Sequence, residues 1–142
     1  MVGVKRILLV EDDVDDQLFF RQILEEIIST PILEVASNGL SAMKLLLGAQ
    51  QLPDLIFMDM NMPVMNGIDF LREISKHRPL RHIPVVVLST SADYVEEAAA
   101  LGARAYVQKP NSAKGFMQKI LWVIEADLGA TSNGKVNTPL IV

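Results

Sequence analysis

Apolar residues in this chain fall into two alternating patterns, short continuous runs and longer stretches with helical spacing. Continuous runs bounded by Gly, Pro and polar residues are typical of strands, and uninterrupted ones are typical of strands buried on both faces. Apolar residues three or four positions apart are typical of amphipathic helices. The predicted strands are residues 7–10, 32–36, 55–58, 85–88 and 103–108, and the predicted helices are residues 18–28, 40–47, 68–74, 95–101 and 116–128.

The alternation of these elements predicts the fold class. Five strands that alternate with five helices indicate an α/β fold, with parallel strands, right-handed crossovers and helices on both faces. A chain of 142 residues is long enough for one domain with a full core and too short for two ordinary ones. We expect residues 1–128 to form this domain. Residues 129–142, polar and then apolar at the end, are expected to form a flexible tail.

Composition excludes several classes of function. The formal net charge is −4 and no run of Lys or Arg is present, which argues against a nucleic-acid partner. The chain has no cysteine, which excludes disulfides and thiolate chemistry. No apolar run reaches membrane-spanning length, and the first strand begins too early for a signal peptide to precede it. The expected location is therefore the cytoplasm, without a membrane partner.

Acidic, hydroxyl and ammonium side chains follow four of the predicted strands. They are, in chain order, Glu11 and Asp12, Asp59, Ser89 and Thr90, and Lys109. Because ligands bind at the carboxyl ends of strands in open α/β sheets, these groups are expected to meet there. Oxygen ligands favour a hard cation, and an open site that keeps water favours Mg²⁺. A lysine and a hydroxyl beside the acids would suit a phosphoryl group.

In this combination the chain resembles a response-regulator receiver domain of two-component signalling, CheY-like in type, over about residues 5–128. The segments that carry the resemblance are the acidic run at 10–13, the stretch 58–67, the hydroxyl after 84–88, and the runs 101–103 and 106–110. The resemblance implies a doubly wound, five-stranded parallel sheet in the flavodoxin-like order 2-1-3-4-5.

The resemblance also implies the roles of the acidic residues. Asp59 would be the nucleophile that accepts a phosphoryl group from a phosphohistidine of a sensor histidine kinase or a histidine phosphotransfer protein. Mg²⁺ would be bound directly by Asp12, Asp59 and the backbone carbonyl of Asn61, and through water by Glu11. The protein would catalyse only its own phosphorylation and dephosphorylation, and would not be an enzyme acting on another substrate.

Three further residues receive roles from the resemblance. Lys109 would pair with a phosphoryl oxygen, Ser89 would donate a hydrogen bond to another, and the rotamer of Tyr106 would follow that hydroxyl. The bond between Lys109 and Pro110 is expected to be cis, which would hold the lysine in a tight turn.

The identity of the switch hydroxyl is left open between two neighbours. Ser89 lies thirty residues after Asp59 and five after Pro84, which matches the register of the family. Thr90 is adjacent and is the alternative. Since side chains alternate along a strand, only one of them is expected to face the site.

Output is expected through protein contacts or through onward transfer of the phosphoryl group. No segment after residue 128 is long enough for an output domain, so we expect a stand-alone regulator. The fourth helix, fifth strand and fifth helix would form the surface that responds, and such a surface can also pair two copies into a homodimer. The downstream target has no signature in the sequence.

Three other functions are alternatives to this one. A flavodoxin-like redox protein would need a phosphate-binding loop after strand one, where Glu11, Asp12 and Asp13 would repel FMN phosphate. A Mg²⁺-dependent phosphatase with an aspartyl nucleophile would need a second carboxylate at residue 61, which is Asn61 here. A receiver that binds partners without phosphorylation is the third alternative, against which the complete set of site residues argues.

Overall fold

Strands and helices alternate along the chain in the predicted order. The computed structural model describes residues 6–126, 131–132, 135–136 and 139–142. The strands are Arg6–Val10 (β1), Ile32–Ala36 (β2), Leu55–Asp59 (β3), Val85–Ser89 (β4), Ala105–Gln108 (β5), Thr131–Ser132 (β6), Lys135–Val136 (β7) and Leu140–Ile141 (β8). The helices are Val14–Ile27 (α1), Gly39–Gly48 (α2), Gly67–Lys76 (α3), Val95–Ala100 (α4) and Ala113–Glu125 (α5). Parts of the predicted domain and tail, residues 1–5, 127–130, 133–134 and 137–138, lie outside the described residues.

The main sheet is parallel and has the strand order β2-β1-β3-β4-β5-β8. Its first five strands follow the predicted order 2-1-3-4-5, which confirms the α/β class and the doubly wound topology. The direction in which successive strands are added reverses between β1 and β3. The chain first adds β2 on one side of β1 and then adds β3 on the other side. This switch point opens a crevice at the carboxyl ends of the two strands.

Helices cover both faces of the sheet. One face packs against α2, α3 and α4 and includes Met58 and Tyr106. The other packs against α1 and α5 and includes Phe57 and Val107. Neighbouring residues of a strand therefore enter different halves of the core, as the two-residue period of a strand requires.

The central strands β3 and β4 are buried along their whole length. Each has a hydrogen-bonded strand on both sides and helices on both faces, so no side chain of their apolar runs reaches water. A charged or hydroxyl group is tolerated only where the strand ends. Asp59 and Ser89 are the last residues of β3 and β4, and both meet this requirement.

Polar side chains at the N-termini set where four of the helices begin. Asp13, Asn38, Asn66 and Ser112 each accept a hydrogen bond from the backbone N–H three residues later, at 2.8–3.0 Å. Such caps satisfy one of the backbone donors that a helix leaves unpaired. The remaining helix, α4, begins after Tyr94 without a side-chain cap.

The C-terminal residues add a strand to the predicted sheet. Where five strands were expected, Leu140–Ile141 forms a sixth strand that pairs in parallel with β5. Leu140 N–H donates to the carbonyl of Arg104 at 3.0 Å, and Val142 N–H donates to that of Tyr106 at 3.0 Å. The segment also contains β6 and β7, which form a separate antiparallel pair. The predicted tail is thus partly built into the sheet.

No helix within the described ranges combines the length and apolar character needed to cross a membrane.

Candidate functional site

The reactive side chains singled out in the sequence lie at one edge of the sheet. Glu11 directly follows β1, Asp59 ends β3, Ser89 ends β4 and Lys109 directly follows β5. These four strands are consecutive neighbours in the sheet and all run in the same direction. Their carboxyl ends therefore deliver acid, hydroxyl and ammonium groups to the same crevice.

Three acidic side chains form a compact cluster at this edge. Glu11, Asp12 and Asp59 each place a carboxylate oxygen within 4.8 Å of the other two. Glu11 and Asp59 are 3% and 8% exposed, whereas Asp12 is exposed to solvent. Oxygen donors that surround one point and remain open on one side fit a hard divalent cation that keeps some of its water, such as Mg²⁺.

Lys109 supplies a positive charge to the cluster. Its Nζ lies 3.5 Å from Oδ1 of Asp59 and 3.6 Å from Oε1 of Glu11. The backbone N–H of Lys109 donates to the carbonyl of Ser89 at 2.7 Å, which ties the end of β5 to the end of β4. All peptide bonds of the described residues are trans, including the one before Pro110, so the expected cis bond is wrong.

Burial and the crowding of the acids shift the pKa of Glu11. Burial raises the pKa of the Glu11 carboxyl to about 8, and the negative charge of Asp59 and a hydrogen bond with it add to the rise. The ammonium of Lys109 acts in the opposite direction but does not cancel the effect. In the absence of a metal, the raised pKa favours the protonated form of the Glu11 carboxyl, and a divalent cation beside it would favour the charged form.

Ser89 and Thr90 differ in burial. Ser89 is fully buried, and its Oγ accepts a hydrogen bond from Ser91 N–H at 3.1 Å. Thr90 is exposed, and its carbonyl accepts from the side chain of Gln108 at 3.4 Å. Ser89 therefore lies inside the fold at the end of the strand next to that of Asp59, and which of the two hydroxyls acts as the switch stays a prediction.

Tyr106 connects β5 with the loop after β4. Its ring is 2% exposed, and its hydroxyl donates to the carbonyl of Ser91 at 2.7 Å. Since Ser91 N–H in turn donates to Ser89, the ring and the candidate hydroxyl hold the same short loop. Asn61 is exposed in the loop after Asp59. The resemblance implies that its backbone carbonyl binds the cation.

Two supporting residues were not singled out as such by the sequence. Gln17 Nε2 donates to the backbone carbonyl of Glu11 at 2.7 Å and so anchors the turn that carries Glu11 and Asp12. Gly67 packs against the loop after Asp59, where an added Cβ would lie 3.1 Å from Cα of Met60. Gln17 lies six positions after Glu11, a spacing that does not predict contact from the sequence.

Comparison with known proteins agrees with this geometry. Residues 7–121 match the family described as the response regulator receiver domain. The chemotaxis protein CheY of Pseudomonas aeruginosa is 33% identical over 122 residues, which cover 84% of this chain and 96% of that protein. The chain also matches a protein-glutamate methylesterase/protein-glutamine glutaminase of Carboxydothermus hydrogenoformans at 37% identity over 130 residues. It spans only 35% of that protein.

Solved structures support the same assignment. The phosphorylated cyanobacterial phytochrome response regulator RcpA superposes with a TM-score of 0.79 at 30% identity, covering 87% of this chain and 93% of that one. The Mn²⁺-bound form of response regulator Rcp1 superposes with a TM-score of 0.77 at 30% identity, covering 90% and 97%. On the strength of the matched residues, the sheet order and these likenesses, the chain belongs to the response regulator receiver domain family.

Proposed function

We propose that Asp59 accepts a phosphoryl group from the phosphohistidine of a sensor histidine kinase or a histidine phosphotransfer protein, in a Mg²⁺-dependent reaction. The observation that carries the proposal is the convergence of three carboxylates within 4.8 Å, with the Lys109 ammonium 3.5 Å from Asp59. This arrangement provides a nucleophile, a cation site and a charge partner for a phosphoryl oxygen, which is what positioning-dominated phosphoryl transfer requires.

The transfer step forms one bond to phosphorus and breaks another. A carboxylate oxygen of Asp59 forms a bond to phosphorus, the bond from phosphorus to the donor imidazole nitrogen breaks, and its electron pair stays with the imidazole. The product is a mixed anhydride on Asp59, which water can hydrolyse, so the modification is temporary. Lys109 pairs with one phosphoryl oxygen and Ser89 donates a hydrogen bond to another. When bound, Mg²⁺ supplies positive charge that offsets the crowded acids and the charge on the transferring oxygens.

The divalent cation would be held by Asp12, Asp59 and the carbonyl of Asn61, and by Glu11 through water. The raised pKa of Glu11 is compatible with this assignment, because a bound cation would offset the burial and the Asp59 charge that raise it. Among the solved relatives, Rcp1 binds Mn²⁺ and RcpA is phosphorylated, so both parts of the proposal have a precedent in structures 30% identical to this chain.

Phosphorylation would be read through protein contacts or passed onward to another phosphotransfer protein, and we place this exchange in the cytoplasm. The responding surface would be α4, β5 and α5, which is also where a homodimer would form. In this protein the outer edge of β5 carries β8, so a partner at this surface would meet β8 as well.

A phosphatase acting on other molecules is less well supported. Asn61 stands two residues after Asp59, where such an enzyme would need a second carboxylate. A flavin-binding redox protein is also less well supported, because Glu11 and Asp12 would face the flavin phosphate.

The decisive experiment is phosphorylation by a small donor. The full chain incubated with Mg²⁺ and acetyl phosphate is expected to gain the mass of a single phosphoryl group, and the chelator EDTA should prevent the gain. Asp59→Asn should abolish it. Asp69→Asn is the matched control, since Asp69 is an exposed acid on α3 that pairs with Arg72 away from the site. An equal mass gain in Asp59→Asn would refute the assignment of the nucleophile.

A further inference from the structure

The C-terminal strand β8 lies beside Tyr106. Ile141 is the direct partner of Tyr106 in the parallel register, and Leu140 is the partner of Ala105. Three backbone hydrogen bonds hold the pairing, and two of them use the backbone of Tyr106 and Gln108. Val142 N–H donates to the carbonyl of Tyr106 at 3.0 Å, and Gln108 N–H donates to the carbonyl of Val142 at 2.9 Å.

The two faces of β8 have different surroundings. Leu140 and Val142 pack against the core on the α1 and α5 side of the sheet, together with Ala105 and Val107. Ile141 points to the opposite face, which is the face of Tyr106, because partners in register share a face. Ile141 is 54% exposed, so burial of its own surface does not account for its position.

The Tyr106 ring points inward, away from β8. Its hydroxyl donates to the carbonyl of Ser91 in the loop after β4, and the ring is buried on the α4 side of the sheet. Rotation about its side-chain bonds toward the outer edge would carry the ring over β8. In a sheet that ended at β5 that space would border water, whereas here β8 covers this edge and Ile141 is the in-register partner of Tyr106 on the same face.

We propose that Ile141 is a positioning residue that holds the Tyr106 ring inward, so that pairing of β8 and closure of the loop at residues 89–91 form a coupled equilibrium. The proposal rests on the proposed function, in which Ser89 is drawn toward the phosphoryl group. Since coupling between two sites is reciprocal, phosphorylation of Asp59 must then strengthen the pairing of β8 with β5. The strength of the pairing between β8 and β5 would thereby depend on whether Asp59 is phosphorylated.

The first test is backbone amide hydrogen exchange by NMR, on the full chain with Mg²⁺, before and after phosphorylation by acetyl phosphate. The amides of Leu140, Val142 and Gln108 are expected to exchange about fivefold more slowly after phosphorylation, which is the low end of usual coupling. Tyr106→Ala, which lacks the ring, should lose this slowing. Intact mass measured on the same samples reports phosphorylation independently.

The outcomes separate the two proposals. A protein that gains the phosphoryl mass without slower exchange at these amides would overturn the role of β8 and leave the proposed function intact. A protein that gains no mass would contradict the proposed function, and the coupling would then be decided by the second test.

The second test uses the unphosphorylated protein and the Tyr106 ring itself. Ile141→Ala is expected to shift the aromatic proton and carbon NMR signals of Tyr106 toward those of an exposed ring. Ile32→Ala is the matched control, because Ile32 is an edge-strand isoleucine of similar exposure, 45% against 54%, at the far edge of the same sheet. It should leave Tyr106 unchanged. Unchanged Tyr106 signals in Ile141→Ala would overturn the proposal, whether or not β8 remains paired.

Discussion

The Nζ of Lys109 lies 3.5 Å from Oδ1 of Asp59 and 3.6 Å from Oε1 of Glu11, so a single ammonium faces two buried acids. The three groups lie at the carboxyl ends of three different strands, and the backbone N–H of Lys109 donates to the carbonyl of Ser89. Any negative charge added to Asp59 must therefore change what Lys109 and the end of β4 contact.

Replacing Lys109 by alanine should separate phosphorylation from its structural response. Lys109→Ala keeps the nucleophile and the acidic cluster, so we expect it still to gain a phosphoryl group from acetyl phosphate. It should no longer transmit the change to residues 89–91, because the cationic partner of the phosphoryl oxygen is missing. Intact mass and the amide NMR shifts of residues 89–91 would measure the two effects. Lys76→Ala, which removes an exposed lysine paired with Glu73, is the control that should respond as the wild type does.

The raised pKa of Glu11 predicts that Mg²⁺ binding releases a proton. Because that pKa is about 8 in the metal-free protein, affinity for Mg²⁺ should rise as the pH increases from about 6 to about 8. Calorimetric titrations in buffers of different ionisation enthalpy would count the released proton. Glu11→Gln should bind with a flatter pH dependence, and an unchanged slope in that variant would contradict the assignment.

The same carboxyl should make the metal-free protein pH-sensitive. The pKa of Glu11 is raised from 4.5 to about 8 on folding, so the folded state binds the proton more tightly than the unfolded state does. Its contribution to stability is complete below pH 4.5 and is lost as the pH rises through 8. Urea unfolding in EDTA should show this loss, and saturating Mg²⁺ or the Glu11→Gln substitution should reduce it.

Gly67 and Gly48 form a matched pair for testing the loop after Asp59. A Cβ on Gly67 would lie 2.9 Å from Sδ and 3.1 Å from Cα of Met60, whereas one on Gly48 would meet nothing within 4 Å. Gly67→Ala is therefore expected to lower the free energy of unfolding by about 1–3 kcal/mol and to slow phosphorylation. Gly48→Ala, at the end of α2, should instead raise that free energy by roughly 0.5 kcal/mol. Urea unfolding and the rate of mass gain would measure both.

Val64 adopts a backbone conformation that its side chain disfavours. Its φ is 71°, and the side chain is 74% exposed, so little packing compensates for the strain. Val64→Asn should raise the free energy of unfolding by about 1 kcal/mol, because asparagine tolerates the left-handed region. Val14→Asn is the control, since Val14 is a similarly exposed valine, 65%, in the first turn of a helix. A stabilisation of equal size in both variants would argue against relief of strain at Val64.

The hydroxyl that follows the phosphoryl group can be identified with two alanine variants. Ser89→Ala should still accept a phosphoryl group but should show little change in the Tyr106 ring signals on phosphorylation. Thr90→Ala should behave as the wild type, because Thr90 is exposed and Ser89 is fully buried. The opposite result would transfer the role to Thr90.

The sequence by itself determined the sheet and the residues that meet at its carboxyl edge. Uninterrupted apolar runs at β1, β3 and β4 can be buried only between other strands and helices, and the first polar residue after each run must then stand at the strand end. Glu11, Asp59 and Lys109 were predictable for this reason, since the parallel topology brings those ends together.

Only the tertiary structure decided the features that depend on distances between separate elements. Leu140–Ile141 is too short to be predicted as a strand from the sequence. Its pairing depends on the edge of β5 that the other strands leave free. The different burial of Ser89 and Thr90 depends on the packing of neighbouring elements, and the raised pKa of Glu11 depends on its burial and on its separations from Asp59 and Lys109. Patterning along a chain encodes which residues are buried, whereas packing, strand edges and charge separations arise when residues far apart in sequence come into contact.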